Sequence, residues 1–242
     1  MDQRLPESAI TPEPLPGHLD ATPPDEAALR LRDAVWARIR SGWWAKILAT
    51  TLGISVFFVA YFWVLRNPQF ALTVVPLSWP DRLIPFEPAA LPVYFSLWFY
   101  VSLAPALLRD VRELVDFGRA CIGLAVVGMT IFLLWPTTTP EFAIDWTLHP
   151  SIEFLKQVDV SSNACPSMHV AFAVLTAIRL ERTLLELGAP PVWRAGNLVW
   201  CLAIAWSTIA TRQHVAWDVL AGALLGVAFA LLHLHDLHRR SR

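Results

Sequence analysis

Charge is scarce in this sequence. Asp, Glu, Lys and Arg make up 16% of its 242 residues, where a soluble domain carries about a quarter. Cysteine is scarcer still. Cys121, Cys165 and Cys201 are odd in number and scattered, which excludes a disulfide framework and a zinc pattern and leaves them as small apolar residues. The net charge of −1 excludes the basic footprint of a nucleic-acid-binding protein. No apolar stretch follows a short basic start, so no signal peptide is expected. What fills the chain instead is hydrophobic: 55% of residues are apolar and the mean hydropathy is +0.47. Several runs approach the roughly 20 residues that cross a bilayer, so a polytopic membrane protein is expected, with membrane lipids as its surroundings.

The chain divides into three parts. Residues 1–24, from Met1 through Pro24, are polar and proline-rich, cannot bury a core, and are expected to be a disordered tail. In residues 25–42, Leu29, Leu31, Val35, Trp36 and Ile39 interleave with Arg30, Arg32, Arg38 and Arg40. That pattern fits a basic amphipathic helix on a membrane surface, or equally a helix docked on the rest of the protein. Residues 43–236 are expected to form an all-α bundle of six transmembrane helices. The spans are Trp43–Leu65, Ala89–Leu108, Ala120–Trp135, Pro166–Leu180, Ala195–Thr211 and His214–Leu234. The fourth and fifth are short, as expected if their outer ends line a polar cavity instead of touching lipid.

Basic residues favour the cytoplasmic side of a membrane. With the N-terminus inside, fourteen of them fall in inner segments, around Arg30–Lys46, Arg109–Arg119, Arg179–Arg194 and Arg239–Arg242. Only Arg66, Arg82, Lys156 and Arg212 fall outside. This orientation also places His169, Arg212 and His214 at one face, the outer one, which the charge count alone did not require. The location expected is an integral, plasma (inner) membrane protein with its site on the non-cytoplasmic face.

Ionisable residues inside membrane-length segments are costly and default to a functional reading. Pro166-Ser167-Met168-His169 opens the fourth span. Pro166 suits a first helical turn, with Asn163 or Ser162 as the cap. The amides of Ser167, Met168 and His169 would then face outward at a helix N-terminus, a place that binds phosphate, with the Ser167 hydroxyl as a further donor. Arg212 offers a planar fork for a phosphoryl group. His214 and Asp218 are four apart, so the carboxylate can fix the tautomer of the imidazole and leave its other nitrogen free to attack. Asp81, Arg82, Asp159 and Asn163 lie in outer loops where they can shape a pocket.

These motifs resemble those of the type 2 phosphatidic acid phosphatase (PAP2) superfamily: Pro166-Ser167-Met168-His169, then Arg212-Gln213-His214 through Asp218. The compact spacing, with Ser207-Thr208, Thr211-Arg212-Gln213-His214 and Asp218-Val219-Leu220-Ala221-Gly222, resembles the branch that contains inositol-phosphorylceramide synthases. The resemblance covers roughly Pro76 to Gly226. It implies that His214 is a nucleophile taking the phosphoryl group, that His169 protonates the leaving oxygen, that Asp218 orients His214, and that Arg212, Ser167 and the Met168 amide hold phosphate. No metal or other cofactor is implied, and the substrate is a phosphorylated lipid. The superfamily's first basic motif is matched in spacing by Arg112 and Arg119, with Ala120 in place of its proline, but the topology puts both on the inner face. The expected function is a lipid phosphatase. The alternatives are transfer of a phospho-headgroup, such as inositol phosphate, onto a lipid alcohol, and an inactive lipid-binding or scaffold member.

The orientation is testable without activity. In a background lacking the three native cysteines, a membrane-impermeant thiol reagent should modify a cysteine placed at Ser161 in intact cells and leave one placed at Glu186 untouched. The reverse pattern would invert the topology.

Overall fold

The computed structural model describes residues 24–158 and 163–240. The expected tail up to residue 23, together with Asp159, Ser161 and Ser162, lies outside the described residues. The chain forms α1 (Pro24–Arg40), α2 (Trp43–Arg66), β1 (Thr73–Val74), α3 (Trp79–Leu83), α4 (Leu91–Phe95), α5 (Leu97–Ala106), α6 (Val111–Leu134), β2 (Thr137–Thr138), α7 (Pro150–Val158), α8 (Met168–Glu186), α9 (Pro191–Ala210) and α10 (Ala216–Arg240). Short 3-10 turns at Pro88–Ala90 and Trp146–Leu148 precede α4 and α7. The architecture is mainly helical, with one departure from all-α: β1 and β2 pair in parallel, Thr73 with Thr137 and Val74 with Thr138.

Among the described residues, four helical segments are long and apolar enough to cross a membrane: Trp43–Arg66, Pro88–Ala106, Val111–Leu134 and Ala216–Arg239. Their large apolar side chains face outward, as Val59 and Trp63 do on α2, Ile122 and Val126 on α6, and Leu224 and Leu231 on α10. Four, not the expected six, meet the requirement. The two that do not, α8 and α9, carry His169, Thr176, Arg179 and Arg182, and Arg194, Asn197, Ser207 and Thr208. The polarity of α8 is turned inward, with Thr176, Arg179 and Thr183 buried. The second expected span is broken into the Pro88–Ala90 turn, α4 and α5, with prolines at 88, 92 and 105. The third begins at Val111 and not Ala120, because Asp110 accepts a hydrogen bond from the Glu113 amide (2.9 Å) and caps the helix there.

Helix α8 is the central element, packed against α5, α6, α9 and α10. Its first turn sits on glycine. A Cβ added to Gly222 of α10 would overlap the Ser167 carbonyl oxygen, one on Gly226 would overlap that of Ala171, and one on Gly128 of α6 would overlap the Met168 sulfur. Gly222 and Gly226 are four apart, so both line one face of α10 and let the two backbones approach closely.

The other end of α8 is pinned by charge. Arg179, whose side chain is 1% exposed, donates to Glu113 (2.8 Å), and Glu186 meets Arg38, Arg109 and Arg182 at 3.3, 3.2 and 3.0 Å. Lys46 donates to the carbonyls of Ala106 and Leu108 (3.1 and 2.7 Å), covering the end of α5. Helix α1 is anchored here: Leu31 is buried and Arg38 bonds the Leu107 carbonyl, while Leu29 and Trp36 are exposed.

Overpacking at the α8–α10 contact should be costly. Gly222→Val should lower the thermal midpoint in detergent by an amount equivalent to about 1–3 kcal/mol or more, because backbone must move. Gly118→Ala, where an added Cβ meets nothing within 4 Å, should be neutral or stabilise by up to about 1 kcal/mol through helix propensity.

Candidate active site

The residues singled out by sequence converge at one end of the bundle. There, the start of α8, the α9–α10 turn and the loops around α3 and β2 are stitched together. Ala164 N and Cys165 N donate to the Thr137 carbonyl and hydroxyl (3.0 and 2.7 Å). The Glu87 amide donates to the Ala210 carbonyl (2.9 Å), and the Ser167 amide to the Asp218 carbonyl (2.9 Å). The last of these joins the two sequence motifs directly.

Helix α9 ends in a double hydrogen-bond pattern. Arg212 N donates to Ile209 O (3.0 Å) and Gln213 N to Thr208 O (3.1 Å). Arg212 itself has φ 58°. This is the Schellman motif, in which glycine normally fills the left-handed position. An arginine there costs about 1–2 kcal/mol, so its side chain must be of use. The guanidinium donates from Nη1 to Asp81 O (3.2 Å) and from Nη2 to Ile84 O (2.9 Å), and lies 5.1 Å from the centre of the Phe142 ring. Its Nε is buried with no hydrogen-bond partner. Two of its five N–H groups thus hold the C-terminal end of α3, and the fork retains donors for another acceptor. Burial pulls its pKa below the ordinary value and the Asp81 carboxylate pulls it back.

Two buried carboxylates hold the start of α10. Asp218 Oδ2 accepts from the Val215 amide (2.9 Å), reaching back over the first turn. Asp81 accepts from the Ala216 amide (2.8 Å) and from the Ser78 amide and hydroxyl (2.7 Å each). Asp81 is therefore a structural brace between α3 and α10. His214 lies in the turn just before α10, not within it, yet remains beside Asp218: Nδ1 to Oδ2 is 3.5 Å. This is ion-pair distance. A formed hydrogen bond is not present, and His214 Nδ1 and Asp218 Oδ1 are both buried without a partner.

His169 occupies the first turn of α8. Its ring stacks on Tyr94 (4.4 Å between centres, 29°), meets Trp98 at 5.8 Å, and has Nδ1 3.5 Å from the Tyr94 hydroxyl. The His169 and His214 rings stand 5.9 Å apart. Each turns Nδ1 toward a neighbour, a tyrosine in one case and an aspartate in the other.

Two expectations need correction. The cap of α8 is Ser167, whose hydroxyl accepts from Val170 N (3.4 Å), and not Asn163. Asn163 instead bridges Thr137. The Ser167 amide is already bonded to Asp218, so only the Met168 and His169 amides lead the helix without a partner within it. The Met168 side chain is buried against Gly128. Arg112 and Arg119 lie exposed near the start of α6, and Arg119 is 15 residues, about 22 Å of helix, from Leu134. Arg82 is exposed on α3. Sequence reasoning missed Tyr94 and Trp98. Their only sequence signal is a four-residue spacing in the second span. Burial and the adjacent Asp218 carboxylate push the Cys165 thiol up to about 11, which disfavours the reactive thiolate.

A family model described as the PAP2 superfamily matches residues 113–242, more than half of the chain, and both histidines, Arg212 and Asp218 lie within that stretch. No curated protein and no solved structure matches.

The strained position separates folding from function. Arg212→Gly relieves the left-handed strain while losing two hydrogen bonds, so the thermal midpoint should shift by the equivalent of no more than about 1 kcal/mol. Phosphate affinity, measured by calorimetry, should fall about tenfold or more, since the fork is lost. A glycine variant with undiminished phosphate affinity would assign Arg212 to the loop alone.

Proposed function

The chain belongs to the PAP2 superfamily, and we propose that it is a membrane-integral lipid phosphatase that cleaves a lipid-linked phosphate through a phosphohistidine. The observation that carries this reading is the pair of histidine rings 5.9 Å apart, one backed by Asp218 and the other by Tyr94, with Arg212 in the same turn as His214. In the first step the lone pair of His214 Nε2 attacks phosphorus. The P–N bond forms as the ester P–O bond breaks, and His169 gives its proton to the departing oxygen. The Asp218 carboxylate stabilises the imidazole as it gains positive charge. In the second step water attacks the phosphohistidine, His169 takes the water proton, the P–N bond breaks, and phosphate leaves. Arg212 and the leading amides of α8 offset the charge on the phosphoryl oxygens. An alcohol in place of water converts the same chemistry into headgroup transfer. The compact Arg212-Gln213-His214 spacing, like that of the inositol-phosphorylceramide synthase branch, is what favours that second reading. The skew of basic residues supports a site on the outer face of a plasma (inner) membrane.

Purified protein incubated with labelled phosphatidic acid, prenyl diphosphate and phosphatidylinositol, with and without ceramide or diacylglycerol, should release inorganic phosphate from the first two, which carry a terminal phosphate, and not from the diester phosphatidylinositol. A headgroup appearing on the added alcohol would instead establish transfer, and no turnover of any of them would leave a lipid-binding protein. Within the phosphatase reading, His214→Ala should abolish the phosphoenzyme. His169→Ala should slow poor leaving groups by about 10²–10⁴-fold and a nitrophenyl ester far less, because a good leaving group needs little protonation. Equal loss on both, with no phosphoenzyme trapped, would require the two roles to be exchanged.

A further inference from the structure

Asp81 and Asp218 are both buried at the start of α10, and Arg212 is the cation standing beside them. A phosphate monoester arriving there brings about −1.5 to −2 charges. Beside two buried carboxylates, added negative charge of that size needs cationic partners, and one arginine is too little. Of the other basic residues assigned to this side, Arg66 lies exposed over the Phe62 ring of α2 (5.6 Å) and Arg82 is exposed on α3. Lys156 is different. Its Nζ donates to the main-chain carbonyl of Arg212 at 3.3 Å, two residues before His214, and stands 4.5 Å from the centre of the Trp146 ring.

Packing fixes that position. Ile152, one turn earlier on α7, is buried with Leu91 and Tyr94, and Tyr94 is the residue stacked on His169. Residues four apart share a helix face, so the face of α7 that seats on the partner of His169 also carries Lys156. Trp146, under the ammonium, packs edge-on against Phe86 (5.6 Å), two residues beyond the Ile84 carbonyl that holds Arg212. Helix α7 thereby meets Tyr94 through Ile152 and the α9–α10 turn through Lys156.

We propose that Lys156 is a second phosphate-binding cation. Its ammonium and the Arg212 guanidinium share the phosphoryl oxygens, and together they select a terminal phosphate, which carries about two charges, over a diester, which carries one. The assignment rests on the phosphoryl chemistry proposed above and narrows its substrate class to lipid monoesters or diphosphates.

The sequence contains only two lysines, Lys46 and Lys156, and Lys46 is buried at the opposite end of the bundle. Acetylation of the purified full chain in detergent, read by mass spectrometry, therefore follows Lys156 with Lys46 as internal control. Inorganic phosphate should shield Lys156 and leave Lys46 unaffected. In calorimetry, Lys156→Gln should weaken inorganic phosphate binding about ten- to a hundredfold, the range for hydrogen bonds to charged groups, while Lys156→Arg should restore most of it. The restoration distinguishes charge at the ligand from a tether for α7. Should the Gln variant fail to fold, shielding in the native protein decides. Phosphate binding by the native protein with no shielding of Lys156, or with undiminished affinity in the Gln variant, would overturn the assignment and leave the histidine chemistry standing. No phosphate binding by the native protein would overturn both.

Discussion

The close approach of α8 and α10 is the constraint on which the site depends. Between helices in lipid there is little hydrophobic driving force, and association relies on packing of small residues and interhelical hydrogen bonds. Gly222 and Gly226 supply the first, since any Cβ there would meet the backbone of α8. The Ser167 amide on the Asp218 carbonyl supplies the second. His169 is two residues beyond Ser167, and His214 is four before Asp218. The separation of the two rings is therefore set by backbone contact between two helices and not by the loops that carry the motifs.

Charge then fixes what packing has brought together. A helix N-terminus carries a partial positive charge, which stabilises carboxylates placed there. Asp81 and Asp218 both use it at α10, bonding the Ala216 amide that opens the helix and the Val215 amide just before it. Arg212 completes the arrangement by holding the C-terminal end of α3 through its carbonyls. At the far end, Glu113 and Glu186 bind arginines from α1, α8 and the α5–α6 connection. Breaking a buried pair of this kind costs far more than an exposed one, so α8 is held at one end by glycine contacts and at the other by ion pairs.

The functional motifs were legible in the sequence because costly residues stood in apolar surroundings. His169, Arg212, His214 and Asp218 could be placed at one end from span order and basic-residue skew alone, and the structure brings them together there. Local geometry was less legible. Ser162, Asn163 and Ser167 are all good caps, and nothing local decides among them; the Asp218 carbonyl, which claims the Ser167 amide, comes from a distant helix. Arg212 in a left-handed turn has no sequence mark, since the usual mark is glycine. The inward polarity of α8 hid its place at the centre of the bundle behind a shortfall of apolar residues. Tyr94 and Trp98 both reach His169, and their four-residue spacing puts them on one helix face without saying which helix that face meets.

The way the site is held bears on its chemistry. Proton transfer and in-line attack tolerate little displacement, and a shift of about 1 Å can cost on the order of 10²-fold in rate. Three connections from separate parts of the chain converge on the α9–α10 turn: Glu87 N to Ala210 O, Asp81 Oδ1 to Ala216 N, and Ser167 N to Asp218 O. Each alone is a single hydrogen bond of about 1 kcal/mol net. Together they tie the loop after α3, the start of α8 and the start of α10 into one unit, so none can drift without the others. The one loose joint inside that unit is between His214 Nδ1 and Asp218 Oδ2, at 3.5 Å. Hydrogen bonds of this kind are often long in the empty site and tighten when charge develops. In the phosphohistidine chemistry proposed above, a bond that shortens only as His214 becomes positive favours the transition state over the resting state.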